Sequence, residues 1–290
     1  MLARPFTIRP MRPEEVAIAI DWAAAEGWNP GLHDADCFSI ADSTGFLVGL
    51  LENEPIATIS AVKYGSSFGF IGFYIVKPNY RNQGFGIQIW NEAIDQLQPR
   101  TIGLDGVVAQ QQNYQRSGFQ LAHRNIRYGG TGGGTVPNDV NLVELSQVPF
   151  EQVVKYDRAF FPDDRSVFLH RWITQLGSTA LGYWQGNELM GYGVIRACRS
   201  GYKIGPLFAD QDEIAEVLFL ALKAKVANTM WSKACDESVY LDVPETNPAA
   251  VHLAEKFGMT PVFETARMYR GEPPVFKSDR WFGVTTFELG

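Results

Sequence analysis

Cysteine is scarce: Cys37, Cys198 and Cys235 lie far apart in a chain of 290 residues, an odd number with no close pair. That excludes a disulfide framework and the paired spacing of a zinc knuckle or redox motif. The four histidines (His33, His123, His170 and His252) are equally scattered, so no metal is expected. No apolar run approaches the roughly 20 residues of a membrane helix, and Met1–Pro10 lacks the apolar core of a signal peptide. The expectations are no membrane and a cytoplasmic location. Basic residues are the minority, 25 against 32 acidic for a net charge of −7. A nucleic-acid-binding face needs an excess of Lys and Arg, so no nucleic acid is expected as partner. With 46% hydrophobic and 20% charged residues, the chain has too much core material for a disordered protein.

At roughly 150 residues per domain, the length suggests two domains. Residues 129–139, Gly-Gly-Thr-Gly-Gly-Gly-Thr-Val-Pro-Asn-Asp, read as a linker between 1–128 and 140–290, because glycine is entropically costly in regular structure and proline lacks a donor. In the first part the pattern predicts strands over Phe6–Pro10, Gly45–Leu51, Ile56–Tyr64, Phe68–Val76, Thr101–Val108 and Leu121–Tyr128. Helices are predicted over Pro13–Glu26, Gly84–Leu97 and Gln110–Ser117. The second part repeats this layout. Ile56 to Ile71 is 15 positions, as is Leu189 to Ile204; Gly118 to Arg127 is 9, as is Gly258 to Arg267. A Leu-Asp pair recurs at Leu104-Asp105 and Leu241-Asp242. The ordered set indicates two copies of one α/β (α+β) fold.

The segment richest in chemistry is Phe73-Tyr-Ile-Val76-Lys-Pro-Asn-Tyr-Arg81-Asn-Gln-Gly84-Phe-Gly86. A strand ends, a loop follows, and glycines open a helix, which presents free backbone N–H groups at the positive end of a helix dipole. Glycine there lets backbone approach a bulky anion, and a diphosphate is the natural guest. From Pro55 through Asn91 there is no Asp or Glu, while Lys63, Lys77 and Arg81 are present. A glycine turn before a packed helix is the plainer alternative. The Gly-Lys-Ser/Thr of a Walker loop is absent, and the glycines follow antiparallel-looking strands rather than opening a dinucleotide-binding βαβ unit.

Arg81-Asn-Gln-Gly84-Phe-Gly86 resembles the pyrophosphate loop, Arg/Gln-x-x-Gly-x-Gly/Ala, of the GNAT superfamily of N-acetyltransferases. Tyr114, four residues before Gly118-Phe119, matches the family's later tyrosine. The resemblance covers residues 6–128 well and the second part by layout, and it is similar to a bacterial tandem type. It implies two GNAT-like domains, each with a mixed, mostly antiparallel sheet flanked by helices, the strands Phe68–Val76 and Thr101–Val108 splaying in the first. It implies acetyl-CoA as acyl donor, held by the backbone of Ile75 and Val76 and by the N–H groups of Arg81, Asn82, Gln83, Gly84, Phe85 and Gly86. Asn113 is a further cofactor candidate. Tyr114 would protonate the departing thiolate, and a small-molecule or peptide amine would accept the acetyl group. A non-catalytic acyl-CoA sensor is the alternative; acceptor and oligomeric state stay open.

The attacking amine must lose a proton, yet Phe68–Val76 contains no acid. His33 and Asp34, expected in the loop after the first helix, are candidate bases, with Asp105 a third and a water relay a fourth. Trp28, Phe38, Tyr64 and Tyr74 are aromatic candidates for a pocket wall. In the second part, Asp210, Asp212, Glu213 and Glu216 stand where a diphosphate would sit, and Ala254 stands where a tyrosine would. Like charges repel, so the second part is expected to be a lid, wall or regulatory element with a degenerate cofactor loop. Asp236, Glu237, Asp242 and Glu245 read as carboxylates that are either solvated or favour a cationic acceptor.

Overall fold

The computed structural model describes residues 5–226 and 237–290; Cys235 and Asp236 lie outside the described residues. The first half runs β1 (Phe6–Pro10), α1 (Val16–Ala25), α2 (Asp34–Ala41), β2 (Phe46–Leu51), β3 (Glu54–Tyr64), β4 (Phe68–Val76), α3 (Phe85–Leu97), β5 (Thr101–Val107), α4 (Gln111–Arg116) and β6 (Gln120–Thr131). The second half repeats the series as β7 (Leu142–Glu144), α5 (Phe150–Asp157), α6 (Ser166–Ile173), β8 (Ser178–Gln185), β9 (Glu188–Ala197), β10 (Tyr202–Ala209), α7 (Asp212–Ala224), β11 (Ser238–Pro244), α8 (Pro248–Lys256) and β12 (Thr260–Arg270). One short strand, β13 (Trp281–Gly283), has no counterpart. None of the described helices is long and apolar enough to cross a membrane.

The described strands form one sheet in the order β1-β2-β3-β4-β5-β12-β6-β11-β10-β9-β8-β7, with β13 beside β10. The closing strands are exchanged. β6, from the first half, pairs with β11, and β12, from the second, pairs with β5. The repeated Asp and Arg landmarks explain what secures the exchange. Arg127 on β6 faces Asp242 on β11, with nitrogen–oxygen distances of 2.6 and 2.8 Å. Arg267 on β12 faces Asp105 on β5 at 2.8 and 2.6 Å. Both are buried forks, and removing one partner of such a pair costs about 3–5 kcal/mol because the other charge is left uncompensated. Asp242, read from sequence as a solvated or acceptor-facing carboxylate, is thus a buried structural anchor, and Glu245 accepts from the Arg124 amide at 2.7 Å.

Helices cover both faces of the sheet, which is why β3 and β10 are buried almost throughout rather than alternating. On one face α3 applies Ile89, Trp90, Ala93, Ile94 and Leu97 to the first half, and α7 covers the second. On the other face α1, α2, α5 and α6 share a single core in which Phe38 stacks on Trp172 at 5.9 Å between ring centroids.

Two local expectations change. Asp34 opens the helix α2, and His33 is its flanking residue; at eight residues this helix is too short for apolar periodicity to declare itself. The glycine run does not stay outside the sheet: Gly129–Thr131 continue β6 along β11, with Gly129 also pairing β12. Glycine is required there by close approach, since a Cβ on Gly130 would stand 2.8 Å from Met259 Cγ.

Candidate active site

β4 and β5 are parallel partners from Phe68–Thr101 to Ile71–Leu104, and beyond that pair they part. The cause is a bulge in β4: Thr58 and Ser60 of β3 pair with Ile75 and Gly72, leaving Phe73 and Tyr74 opposite one residue. Phe73 adopts φ +49°, a left-handed conformation uncommon for an aromatic residue. Its carbonyl is held by the Thr58 hydroxyl at 2.9 Å, and its ring is buried against Phe38 and Phe46. Past the bulge, β4 has no second strand partner among the described residues, so one edge carries free backbone donors and acceptors.

The parting opens a cleft of about 510 Å³. Its walls are Ile71–Val76 and Leu104–Val107 from the splayed strands, Arg81, Asn82, Gly84 and Gly86 from the loop, and Asn113 and Tyr114 from α4. Glu26 and Trp28 line it too, and so do four residues from the second half: Phe263, Thr265, Phe287 and Glu288.

At the loop end, α3 begins with an exposed Gly84 at φ +83°, and no acid occupies its first turn. Among the described residues no carbonyl accepts from the amides of Asn82, Gln83 or Gly84. Arg81 is fixed beside them, donating to the Val76 carbonyl at 2.8 Å and to Glu26 at 2.5 Å. Exposed amides, a helix N-terminus and a cation together suit an anion. Gly86 is needed for the side of the cleft: a Cβ there would stand 2.7 Å from the Tyr74 hydroxyl. The donor set therefore fits a diphosphate, and the open edge of β4 fits an extended amide-bearing arm beside it.

Tyr114 is buried, stacked on Trp90 at 5.5 Å, and its ring passes so close to Gly106 that a Cβ would collide at 2.2 Å. Burial raises the phenol above its ordinary range, so it carries its proton at neutral pH. Thus Ile75, Val76, Arg81, Asn82, Gly84, Gly86, Asn113 and Tyr114 come together around one cleft. Gln83 and Phe85 face away from its lining: Gln83 donates to the Asn79 carbonyl at 2.8 Å, and Phe85 packs on Phe6 and Tyr80.

His33 and Asp34 are not in the lining. Asp34 is fully buried and pairs with Arg196 at 2.9 Å while accepting from the Gly31 amide at 2.7 Å. Asp105 reaches the cleft, but it is held by Arg267 and by Asn125 at 2.8 Å; burial raises its pKa against the pull of Arg267. Of the aromatic candidates, Trp28 and Tyr74 line the cleft, whereas Phe38 and Tyr64 are core. Burial pushes the Cys37 thiol up to about 12, which leaves it un-ionised at neutral pH. Sequence reasoning missed the four second-half residues in the lining. No local signal marks them, because strand exchange and the C-terminal segment bring them from the other half of the chain.

The corresponding place in the second half is closed. β10 and β11 pair from Tyr202–Val239 to Ile204–Leu241 and then part where β10 bulges against β9 between Ile204 and Leu207, as in the first half. There β13 enters the gap: Leu207 and Phe208 of β10 pair with Gly283 and Trp281, and the Val284 amide donates to the Asp242 carbonyl at 2.8 Å on the β11 side. The helix that follows begins with Asp212 and Glu213, which already satisfy its positive end. Ile71-Gly72 and Ile204-Gly205 occupy equivalent places in the two halves, and both glycines have the same explanation. The C-terminal segment crosses both bulges, its Val284 carbonyl 2.5 Å from where a Gly205 Cβ would stand and its Glu288 carbonyl 2.2 Å from a Gly72 Cβ.

The family models that match are those of the acetyltransferase (GNAT) family over residues 13–119 and of the acetyltransferase (GNAT) domain over residues 153–283. Among curated proteins, the holothin acyltransferase of Pseudoalteromonas sp. (strain SANK 73390) is 29% identical over 285 residues, 98% of this chain and 95% of that one. The uncharacterised N-acetyltransferase YitH of Bacillus subtilis (strain 168) is 27% identical over 157 residues, 53% of this chain and 56% of that one. Among solved structures, a Pyrococcus horikoshii protein proposed to be an acetyltransferase superposes with a TM-score of 0.81 at 22% identity, covering 100% of this chain and 98% of that one. A tandem GNAT protein from the clavulanic acid biosynthesis pathway gives 0.65 at 13% identity, covering 93% and 100%.

Proposed function

The chain belongs to the GNAT acetyltransferase family, with two GNAT domains and acyltransferase chemistry, and we propose that its first half transfers acetyl from acetyl-CoA directly to a primary amine. The observation that carries this reading is the open edge of β4 leading to an acid-free helix start, with a protonated tyrosine in the same cleft. Ile75 and Val76 bond the pantetheine arm as an added strand. The amides of 81–86 hold the pyrophosphate, with Asn113 beside the arm. Tyr114 gives its proton to the departing thiolate, a role worth about 10²–10⁴-fold. No covalent enzyme intermediate is required.

In the same reading, residues 1–128 are the acetyl-CoA-binding half, 129–139 the connection, and 140–290 a half that has lost its cofactor loop and instead walls the acceptor side. Trp28, Phe263 and Phe287 line the cleft with aromatic surface, which suits an amine carried on a flat apolar body. The long relative is named for acylating holothin, an acceptor consistent with a small-molecule amine here. Calorimetric titration with CoA, followed by thiol release from acetyl-CoA against primary amines and peptides, tests the proposal. One CoA per chain with amine-dependent release is expected; binding without release under any amine overturns the enzymatic part.

A further inference from the structure

Among the described residues, the first half brings into the cleft no carboxylate free of an ion pair, but the C-terminal segment brings one. Three carboxylate residues line the cleft: Glu26, Asp105 and Glu288. Glu26 is bound to Arg81 beside the loop, and Asp105 is bound to Arg267 and Asn125. Glu288 forms no ion pair among the described residues; its side-chain partner is the Thr286 hydroxyl, which donates to Oε2. It is 4% exposed, and its backbone lies on Gly72, at the level where β4 leaves β5 after Ile71. That level is the end of the open edge remote from the phosphate loop, where a thioester extended along β4 would finish. Thr265, whose buried hydroxyl has no partner, lines the same cleft. The charged groups whose fields reach Glu288 from neighbouring strands are Arg127 on β6, Arg196 on β9 and Lys203 on β10.

We propose that Glu288, delivered into the first half's cleft by the C-terminal segment, is the base that deprotonates the acceptor amine. The proposal rests on the acetyl-transfer reading above. Glu288 takes one proton from the ammonium, directly or through one water. The neutral nitrogen then attacks the thioester carbonyl, the C–N bond forms as the C–S bond breaks, and the thiolate receives the proton of Tyr114. The second proton leaves the nitrogen for water as the amide forms, and water reprotonates Tyr114.

The test compares Glu288→Gln with the parent protein on acetyl-CoA and two kinds of nucleophile: primary amines such as benzylamine and tyramine, and hydroxylamine, which is already unprotonated at neutral pH. The expected result is CoA affinity within about twofold, kcat with the best primary amine down roughly 100-fold, and a much smaller loss with hydroxylamine. Glu288→Asp, which keeps the charge, should recover part of the amine rate. An unchanged amine rate, or equal losses with amines and hydroxylamine, overturns the assignment; so does loss of CoA binding or of folding in both variants, which marks a structural residue. Absence of thiol release by the parent itself is the separate failure of the acetyl-transfer reading, and the base assignment falls with it.

Discussion

The two halves share an element order, a bulge in the fourth strand and a parting of parallel strands after an Ile–Leu pair, yet only one parting is open. In the first half the freed edge of β4 faces a cleft that ends at uncapped amides. In the second, β13 takes up the freed edge of β10, and Asp212 and Glu213 neutralise the helix that would have met a diphosphate. The backbone alone therefore does not make a site. In the second half the edge is filled, the helix start is acidic and Ala254 stands in the place of Tyr114, and the fold persists without all three.

Four changes sharpen or break this contrast. Tyr114→Phe should lower kcat by about 10²–10⁴-fold with CoA affinity retained. Its second-half equivalent is already Ala254, so an unchanged turnover would make the two halves alike in lacking an acid. Trp281→Ala removes the ring that anchors β13, the strand in the closed gap, on His123 and Phe276; losing this buried side chain should cost about 3–5 kcal/mol in chemical denaturation. Titration of that variant should still give one CoA per chain, and a second bound CoA would show that β13 alone separates the halves. Gly84→Glu imitates the acidic start of α7. At about 7 Å and an effective dielectric near 20, each added charge pair repels by about 2.4 kcal/mol, so calorimetry should show CoA binding weakened roughly 50-fold.

The smallest effect concerns pH. His123 on β6 faces Arg267, whereas its counterpart on β12, Phe263, faces Arg127 and cannot titrate. Burial holds the His123 imidazole neutral, lowering its pKa to about 3. The unfolded chain takes up that proton near pH 6.5, so the stability linked to it is complete above 6.5 and declines as pH falls toward 3. At pH 5 the loss is up to about 2 kcal/mol. His123→Phe should flatten this slope in denaturation curves at pH 7 and 5; an unchanged slope would remove the asymmetry.

Most of the fold was legible because its signals are local. The apolar stripe of α3, the turns at Glu52–Pro55 and Gly65–Ser67, and the recurring Gly-Phe/Met and Arg landmarks each lie within a few residues of the element they define. The loop that opens α3 at one end of the cleft was legible for the same reason, since glycines, a missing acid and a strand end fall in one stretch. The exchange of β6 and β12 was not. Both closing strands carry the same pattern, either could complete either half, and an Arg–Asp fork would form in both arrangements, so no local signal chooses between them. Glu288 was silent because Thr285–Glu288 follows no recognised motif, and its meaning depends on Gly72, more than two hundred residues earlier. Asp34 misled in the opposite way: a polar residue near a glycine and a proline looked like a loop ligand, but a buried arginine claims it.

The crossed closing strands also bear on how such a duplication ages. Once each copy finishes its sheet with the other's last strand, neither can be deleted, recombined away or expressed by itself without uncovering the other's interior. Thr265 and Phe263 carry that dependence into the cleft itself, where the second copy furnishes part of the wall. The half whose own gap is filled by β13 thereby remains part of its twin's cleft, and any change in its final strand reshapes that wall.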